Sequence, residues 1–553
     1  MKQDSLAGRV MDMLERRWND TVFHVVSRSQ APLDLTGQTL HDRALQIGDH
    51  WRNLLGPGQQ SLVIVLPAGE SLLVTILAGL LTEGISLTFT AQPRSGSRTN
   101  HLAHVLTDSD ASAVVCDEVS RNRILAVLAA AGHADIPVLA VDGAQPMPPL
   151  PLRRSDPNRT RPLIVQYTSG STRAPKGVGI SAENILANCS DVMQYWGMDA
   201  DTRFVNWLPH YHDMGLMGGI LYPLLSGAYS VQMSPFEMVR NPAFWLRTIS
   251  ETRATFSGGP AFAFSECLKR ISDDDIDGID LSSWDRAFCG AEPVPAGLLD
   301  AFHDRFSPYG LRRSAIFACF GLAEYTLFAA GAPETEPLPG DGTDRTHPCV
   351  VPGDVANRLK IVDPIQKHAM PEGETGEIWL SGPSVSAGYI GLDAETRDTF
   401  VTKDFGAGPQ RWLRTGDLGV LRDKHLFING RIKDLIIVNG RKIAAAELEW
   451  LAAQADATLN PYAAAAFQRD IEDTGKAVLL IECKTGKALP SKIESDRICN
   501  SIRRTVYGEW GIHLDEVRIL RRGTLKRTTS GKIRRRVIAE DYRTGSPQHE
   551  QET

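Results

Sequence analysis

Short apolar runs alternate with helix-like stretches along most of the chain. Leu62-Val63-Ile64-Val65-Leu66 is unbroken by a polar residue and reads as a strand buried on both faces. After a break at Pro67, Gly69 and Glu70, the run Ser71 to Leu81 reads as a buried helix. Ala113-Val114-Val115-Cys116 and Val138-Leu139-Ala140-Val141 repeat the strand pattern on either side of an apolar helix from Ile124 to Ala131. Such alternation predicts βαβ units, with parallel sheets covered by helices on both faces. Glu377-Ile378-Trp379-Leu380 and Gly388-Tyr389 lie in a turn-rich β stretch. After Gly430 the pattern changes. Leu435-Ile436-Ile437-Val438 ends on Asn439-Gly440, a hairpin signal. A helix is expected from Ala444 to Ala453, followed by paired strands at Ala463 to Gln468 and Ala477 to Cys483. The fold class is therefore α/β: a large N-terminal domain of packed sheets with flanking helices, residues 1–430, and a small α+β C-terminal domain, residues 431–541. The polar stretch 542–553 is expected to be a disordered tail.

Composition narrows the classes. A chain of 553 residues suggests more than one domain. Its 42% apolar and 23% charged content is that of an ordinary soluble globular protein. A net charge of -7 argues against non-specific nucleic-acid binding. The eight cysteines show no C-x-x-C pair and no zinc spacing, which points to free thiols in a reducing cytoplasm. The N-terminus has no signal-peptide core, and Ser61 to Leu81 is too interrupted to span a membrane. Basic residues cluster at Arg503-Arg504, Arg521-Arg522 and Lys532 to Arg536. These are either a solvated face or a docking surface for an acidic partner.

Candidate chemistry is concentrated in a few blocks. Tyr167 to Val178 holds Thr168, Ser169, Gly170, Ser171, Thr172 and Lys176 just after an apolar run. Hydroxyls, exposed backbone N–H groups and a lysine suit a polyphosphate. Lys176 is followed by glycine, so the spacing is not that of the G-x-x-x-x-G-K-[ST] loop. The alternative is a Ser/Thr/Gly-rich surface linker. Glu324, after Phe320 and Gly321, is a candidate Mg²⁺ ligand or else a helix-start acid. Gly290, Ala291 and Glu292 follow a strand, where α/β sheets bind ligands, and would suit a flat base; an ordinary turn is the alternative. Asp417, expected on a tight turn, offers two acceptor oxygens to a ribose. In the run Pro209 to Gly215, His212 is a candidate gate for a carboxylate pocket or else a buried, satisfied histidine. Lys532, on a Ser/Gly loop, could meet an oxyanion that develops late, although an isolated Ser-Gly-Lys is usually surface. The run Met214 to Leu225, with Phe256, Phe262 and Phe264, suits either a hydrocarbon tunnel or plain core.

Taken in order from Tyr167 to Lys532, these blocks resemble the adenylate-forming superfamily of acyl-CoA synthetases, adenylation domains and luciferases. Within it the chain most resembles the fatty acyl-AMP ligases. The carrying residues are Trp207-Leu208-Pro209 with His212-Asp213-Met214-Gly215-Leu216, Asp280 to Trp284, Gly290 to Val294, Gly430 to Ile437 and Thr529 to Arg535. The resemblance implies ATP-dependent activation of a fatty acid as its adenylate. Transfer then goes to the phosphopantetheine of an acyl carrier protein acting in trans, with Mg²⁺ as cofactor. It implies that Lys532 bridges carboxylate and α-phosphate, that Asp417 and Arg431 hold ribose, and that Phe320 and Ala291 frame the adenine. It also implies that the C-terminal domain is mobile and pivots at Lys433. The segment Gly331 to Asn357 is shorter than the insertion usual in these ligases, which is linked to rejecting coenzyme A. An acyl-CoA synthetase is therefore the alternative. A non-catalytic binder is disfavoured by the intact Lys176, Glu324, Asp417, Arg431 and Lys532.

Overall fold

The computed structural model describes residues 5–56, 58–93, 97–141, 162–168, 175–333, 346–438, 441–469, 476–484, 489–528 and 532–544. The chain is mixed α/β. Strand Gln60–Val65 is buried at every position, and helix Glu70–Leu81 is buried along almost its whole length, which explains why both read as continuously apolar. Between strands Gln60–Val65, Ile85–Phe89, Ala113–Cys116 and Val138–Ala140 all pairing is parallel. Strand Ile164–Tyr167 extends this sheet in parallel, then turns back antiparallel into Gly177–Ile180, which pairs with Gly388–Tyr389.

A second seven-stranded sheet runs in the order Ile316–Ala318, Arg286–Gly290, Phe256–Pro260, Arg203–Asn206, Tyr229–Met233, Thr21–Val26, Leu33–Thr36. It is parallel except at its last pair. A third, antiparallel sheet contains Pro409–Arg422 and His425–Arg431. One continuous apolar core, from Leu6 to Leu426, joins these layers.

Beyond Arg431 the core is separate. Strands Leu459–Gln468, Ala477–Cys483 and Leu514–Leu520 form a small sheet. Helices Ala445–Gln454 and Lys492–Trp510 cover one face, and helix Arg535–Arg543 covers the other. The hairpin strands Leu435–Val438 and Arg441–Ala444 flank Asn439-Gly440, which lies outside the described residues. One expectation is corrected. Tyr542 and Arg543 belong to the last helix, not to a disordered tail, because Tyr542 packs on Phe467 and donates to Glu516, and Arg543 donates to the carbonyls of Gln468 and Arg469.

Candidate active site

Sheet topology brings the motif blocks together. Thr168 and Lys176 face each other at the mouth of their hairpin, with Thr168 N donating to Lys176 O at 3.0 Å. Ser169, Gly170, Ser171 and Thr172 lie outside the described residues. The Lys176 ammonium sits 4.7 Å over the ring of Tyr389, whose hydroxyl donates to Glu324 at 2.8 Å. Tyr389 thus couples the loop lysine to the candidate metal carboxylate. Burial and the neighbouring Glu324 hold its phenol protonated.

The Glu324 turn is held rigidly. Asn188, fully buried on helix Ala182–Trp196, donates to the carbonyls of Tyr325 and Phe328 and accepts from Phe328 N and the Tyr222 hydroxyl. Thr326 adopts a left-handed φ of 68° and donates to Ser384 O. Ser386 N donates to Glu324 O at 2.9 Å.

Asp417 departs from expectation. It lies inside the long strand Pro409–Arg422, not on a tight turn, because Gly416 takes a left-handed φ of 72° beside a bulge and the strand carries on. This places Asp417 directly opposite Arg431, with a 2.7 Å charged hydrogen bond. Burial raises the pKa of Asp417, and Arg431 opposes that shift.

At the ends of the parallel strands, Cys289 pairs with Ala318, so Gly290, Ala291 and Glu292 lie beside Phe320 and Gly321. A side chain at Gly290 would stand 2.5 Å from Cys319 O, so only glycine lets the two segments approach this closely. Glu292 accepts from Phe262 N at 3.1 Å, at the start of helix Ala261–Arg270.

Lys532 reaches this centre from the C-terminal unit. Its hairpin is closed by Thr528 N to Lys532 O at 2.7 Å and Lys532 N to the Thr528 hydroxyl at 3.1 Å. Desolvation and the nearby Arg431 lower the pKa of Lys532, opposed by Asp213, Glu292 and Asp417. The lysine therefore stands among groups from four separate segments. Three residues on, Arg535 makes two hydrogen bonds, of 2.6 and 2.5 Å, to the buried Glu449. This pair anchors the lysine hairpin to helix Ala445–Gln454.

His212 is desolvated, and with Lys532 nearby its pKa falls to about 3. It is neutral near neutral pH. His210 is more deeply buried, edge-on to Phe89, and its pKa is also near 3 through burial. Lys433 sits in the turn Ile432–Asp434 that leads from strand His425–Arg431 to strand Leu435–Val438. The run Met214–Leu221 forms a buried π-helix, and Gln232 donates to its Gly219 carbonyl at 2.9 Å. Phe256 and Phe264 are core residues, and half-buried Phe262 stands edge-on to Trp207. Among the described residues there is no cluster of three or more metal-type ligands and no helix long and apolar enough to cross a membrane.

Tyr389, Asn188 and Glu449 carry no sequence signal of their roles.

A family model described as AMP-binding enzyme matches residues 15–390. The chain belongs to the AMP-binding enzyme family. Among its relatives, a long-chain-fatty-acid–AMP ligase of Mycobacterium marinum is 31% identical, over 98% of this chain and 97% of its own length. A medium-chain-fatty-acid–[acyl-carrier-protein] ligase of Moorena producens is 33% identical, over 69% of this chain and 68% of its own. A solved structure from work on fatty acyl-adenylate ligases of E. coli and L. pneumophila superposes with a TM-score of 0.80 at 26% identity, covering 97% of this chain and 98% of that one.

Proposed function

We propose that this AMP-binding enzyme activates a fatty acid as its acyl-adenylate and passes the acyl group to the phosphopantetheine thiol of a separate acyl carrier protein. The observation that carries the reading is the placement of Lys532 within electrostatic range of Asp213, Glu292 and the Asp417–Arg431 ion pair, in a fold whose relatives include fatty-acid–AMP and fatty-acid–carrier ligases.

The chemistry follows from the charges. A substrate carboxylate oxygen attacks the α-phosphorus of ATP, and the bond to the bridging oxygen breaks, so pyrophosphate leaves. Two anions must meet, and the barrier falls when a fixed cation lies where charge develops. Lys532 fills that role, bridging carboxylate and α-phosphate. His212, neutral at this pH, lines the approach without adding a competing charge. Asp417 accepts from the ribose hydroxyls while Arg431 holds its carboxylate in place. Gly290, Ala291 and Phe320 frame the adenine, and Thr168 and Lys176 take the outer phosphates. Glu324 offers the oxygen chemistry that Mg²⁺ accepts next to triphosphate oxygens, and the ion supplies charge neutralisation when bound. In the second step the carrier thiol gives up its proton to solvent and its sulfur attacks the acyl carbon, and the bond from that carbon to the phosphate oxygen breaks, so AMP leaves. Lys433 is the pivot about which the C-terminal domain, residues 431–541, turns between the two steps.

Coenzyme A is the alternative acceptor, favoured by the short segment from Gly331 to Asn357. The test is to supply ATP, Mg²⁺ and a medium-chain fatty acid, then add either coenzyme A or a phosphopantetheinylated carrier, and identify products by mass. Acyl-carrier without acyl-CoA is expected. Efficient acyl-CoA formation would replace the carrier reading with that of an acyl-CoA synthetase.

A further inference from the structure

Helix Ser97–Asp108 packs on the sheet beside the strand that enters the candidate phosphate loop. Its Leu102, Val105 and Leu106 are buried in one apolar cluster with Val63, Val65, Val165 and Tyr167. This burial fixes the helix in place. His104 and Asp108, four residues apart, lie on one face of it, one above the other. Their backbones are about 6 Å apart along the helix axis.

Each of the two holds one end of the loop. At the entry, the Tyr167 hydroxyl donates to Asp108 Oδ2 at 2.7 Å. Tyr167 is only 4% exposed, and burial together with the Asp108 carboxylate keeps its phenol protonated. At the exit, His104 Nε2 stands 2.9 Å from Pro175 O. A carbonyl only accepts, so this nitrogen carries the proton and donates it. The two rings also meet edge-on, with centroids 6.3 Å apart. Tyr167 pairs with Gly177 across the hairpin, and a side chain at Gly177 would stand 3.0 Å from Tyr167 Cζ. The glycine that follows Lys176 therefore leaves room for the ring that Asp108 holds. On the other side of the exit strand, Ile390 N donates to Gly177 O at 2.8 Å, next to Tyr389 beneath the Lys176 ammonium.

We propose that His104 and Asp108 are positioning residues for the triphosphate: they hold the two ends of the loop in place and so set where Thr168 and Lys176 meet the outer phosphates. The inference rests on the adenylation reading given above and holds for either thiol acceptor. Both side chains are engaged with Tyr167 and Pro175, so they act through the loop. Donors that gather round an anion are effective only when they are preorganised, and a misplacement of about 1 Å can cost about 10²-fold. Such a device bears on ATP and on pyrophosphate. It does not bear on the acyl-adenylate, which has already lost the outer phosphates.

The test compares the two half-reactions in the full chain. Acid-dependent ATP–pyrophosphate exchange gives a KM for ATP and a KM for pyrophosphate. Transfer from supplied acyl-adenylate, to whichever of holo-carrier or coenzyme A the wild type loads, gives the second rate. His104→Phe keeps a ring but loses the donor, and Asp108→Ala loses the acceptor. Each is expected to raise both KM values roughly tenfold while transfer stays within about twofold of wild type. His104→Gln, whose amide N–H can reach Pro175 O, and Asp108→Asn, which keeps an acceptor for Tyr167, are expected to restore both KM values to within about threefold. Tyr167→Phe combined with Asp108→Ala should be no worse than Tyr167→Phe alone, since the two act as one contact. Unchanged KM values in His104→Phe and Asp108→Ala overturn the positioning role alone. An equal loss in exchange and transfer, unrelieved by His104→Gln or Asp108→Asn, overturns it in favour of a purely structural role. A wild type without acid-dependent exchange overturns the functional reading, and the positioning role with it.

Discussion

Asn188→Ala removes the side chain that fixes the Glu324 turn. The amide makes four hydrogen bonds to buried groups: two to carbonyls, at 3.3 and 2.8 Å, and two accepted from Phe328 N and the Tyr222 hydroxyl, both at 2.8 Å. Alanine leaves all four partners without it. A buried polar group that loses its partner costs about 1–3 kcal/mol, so four at the low end give about 4 kcal/mol. Water entering the vacated space recovers part of this, which leaves an expected loss of about 3 kcal/mol. Urea unfolding followed by tryptophan fluorescence measures it. The functional consequence is separate. Tyr325 and Phe328 follow Glu324 within four residues, so a loosened turn should misplace its carboxylate. The Mg²⁺ concentration for half-maximal pyrophosphate exchange should therefore rise several-fold, by more than the rate at saturating Mg²⁺ falls. Asn188→Asp retains the acceptor oxygen but sets a carboxylate against two carbonyls, and it should be no better. A stability loss below about 1 kcal/mol would refute the hydrogen-bond reasoning. An unchanged Mg²⁺ dependence in a destabilised variant would show that Asn188 supports the fold and not the site.

Other outcomes follow from the same geometry. Lys532→Ala should slow adenylation by about 10²–10³-fold, the usual cost of losing one preorganised donor, while transfer from supplied acyl-adenylate largely survives. Loss of both half-reactions would count against a role confined to the first. A lysine carries its charge only below its pKa, and that of Lys532 is lowered by desolvation and Arg431. Adenylation should therefore fall as pH rises through a value below the ordinary lysine range of about 10.4, and Lys532→Arg, however slow, should lack that limb. Glu449→Ala strands buried Arg535 and frees the hairpin that carries Lys532. It should cost about 3–5 kcal/mol in the C-terminal unit's unfolding transition and lower the exchange rate. Exchange at the wild-type rate would mean that the hairpin keeps its position without this anchor.

Local pattern was sufficient for most of the elements and for marking the blocks of the candidate site, and its failures have identifiable causes. Gln60–Val65 and Ala113–Cys116 were legible because strands buried on both faces carry unbroken apolar runs, with only Gln60 and Ser61 polar at the start of the first. Lys532 and Asp417 were legible as chemistry because their motifs are contiguous. The shape around Asp417 was not, since Thr-Gly-Asp reads as a turn unless one knows that the strand resumes and pairs with His425–Arg431. Tyr389, Asn188 and Glu449 were invisible for a different reason. Each acts on a partner far away in sequence: Tyr389 on Glu324, Asn188 on Phe328, and Glu449 on Arg535. Their identities are ordinary for their own elements, and only tertiary packing gives them a role. Tyr542 was misread because a polar C-terminal stretch gives no sign that one tyrosine will reach Phe467 and Glu516.

The central claim is that a carboxylate oxygen attacks the α-phosphorus and that AMP later leaves the acyl group. A fatty acid labelled with heavy oxygen in its carboxyl group tests this directly. After a complete turnover with ATP and holo-carrier, the phosphorus-containing products are analysed by mass. The account predicts one labelled oxygen in AMP and none in pyrophosphate. Label in inorganic phosphate with formation of ADP would mean attack at the γ-phosphorus, and would contradict the account.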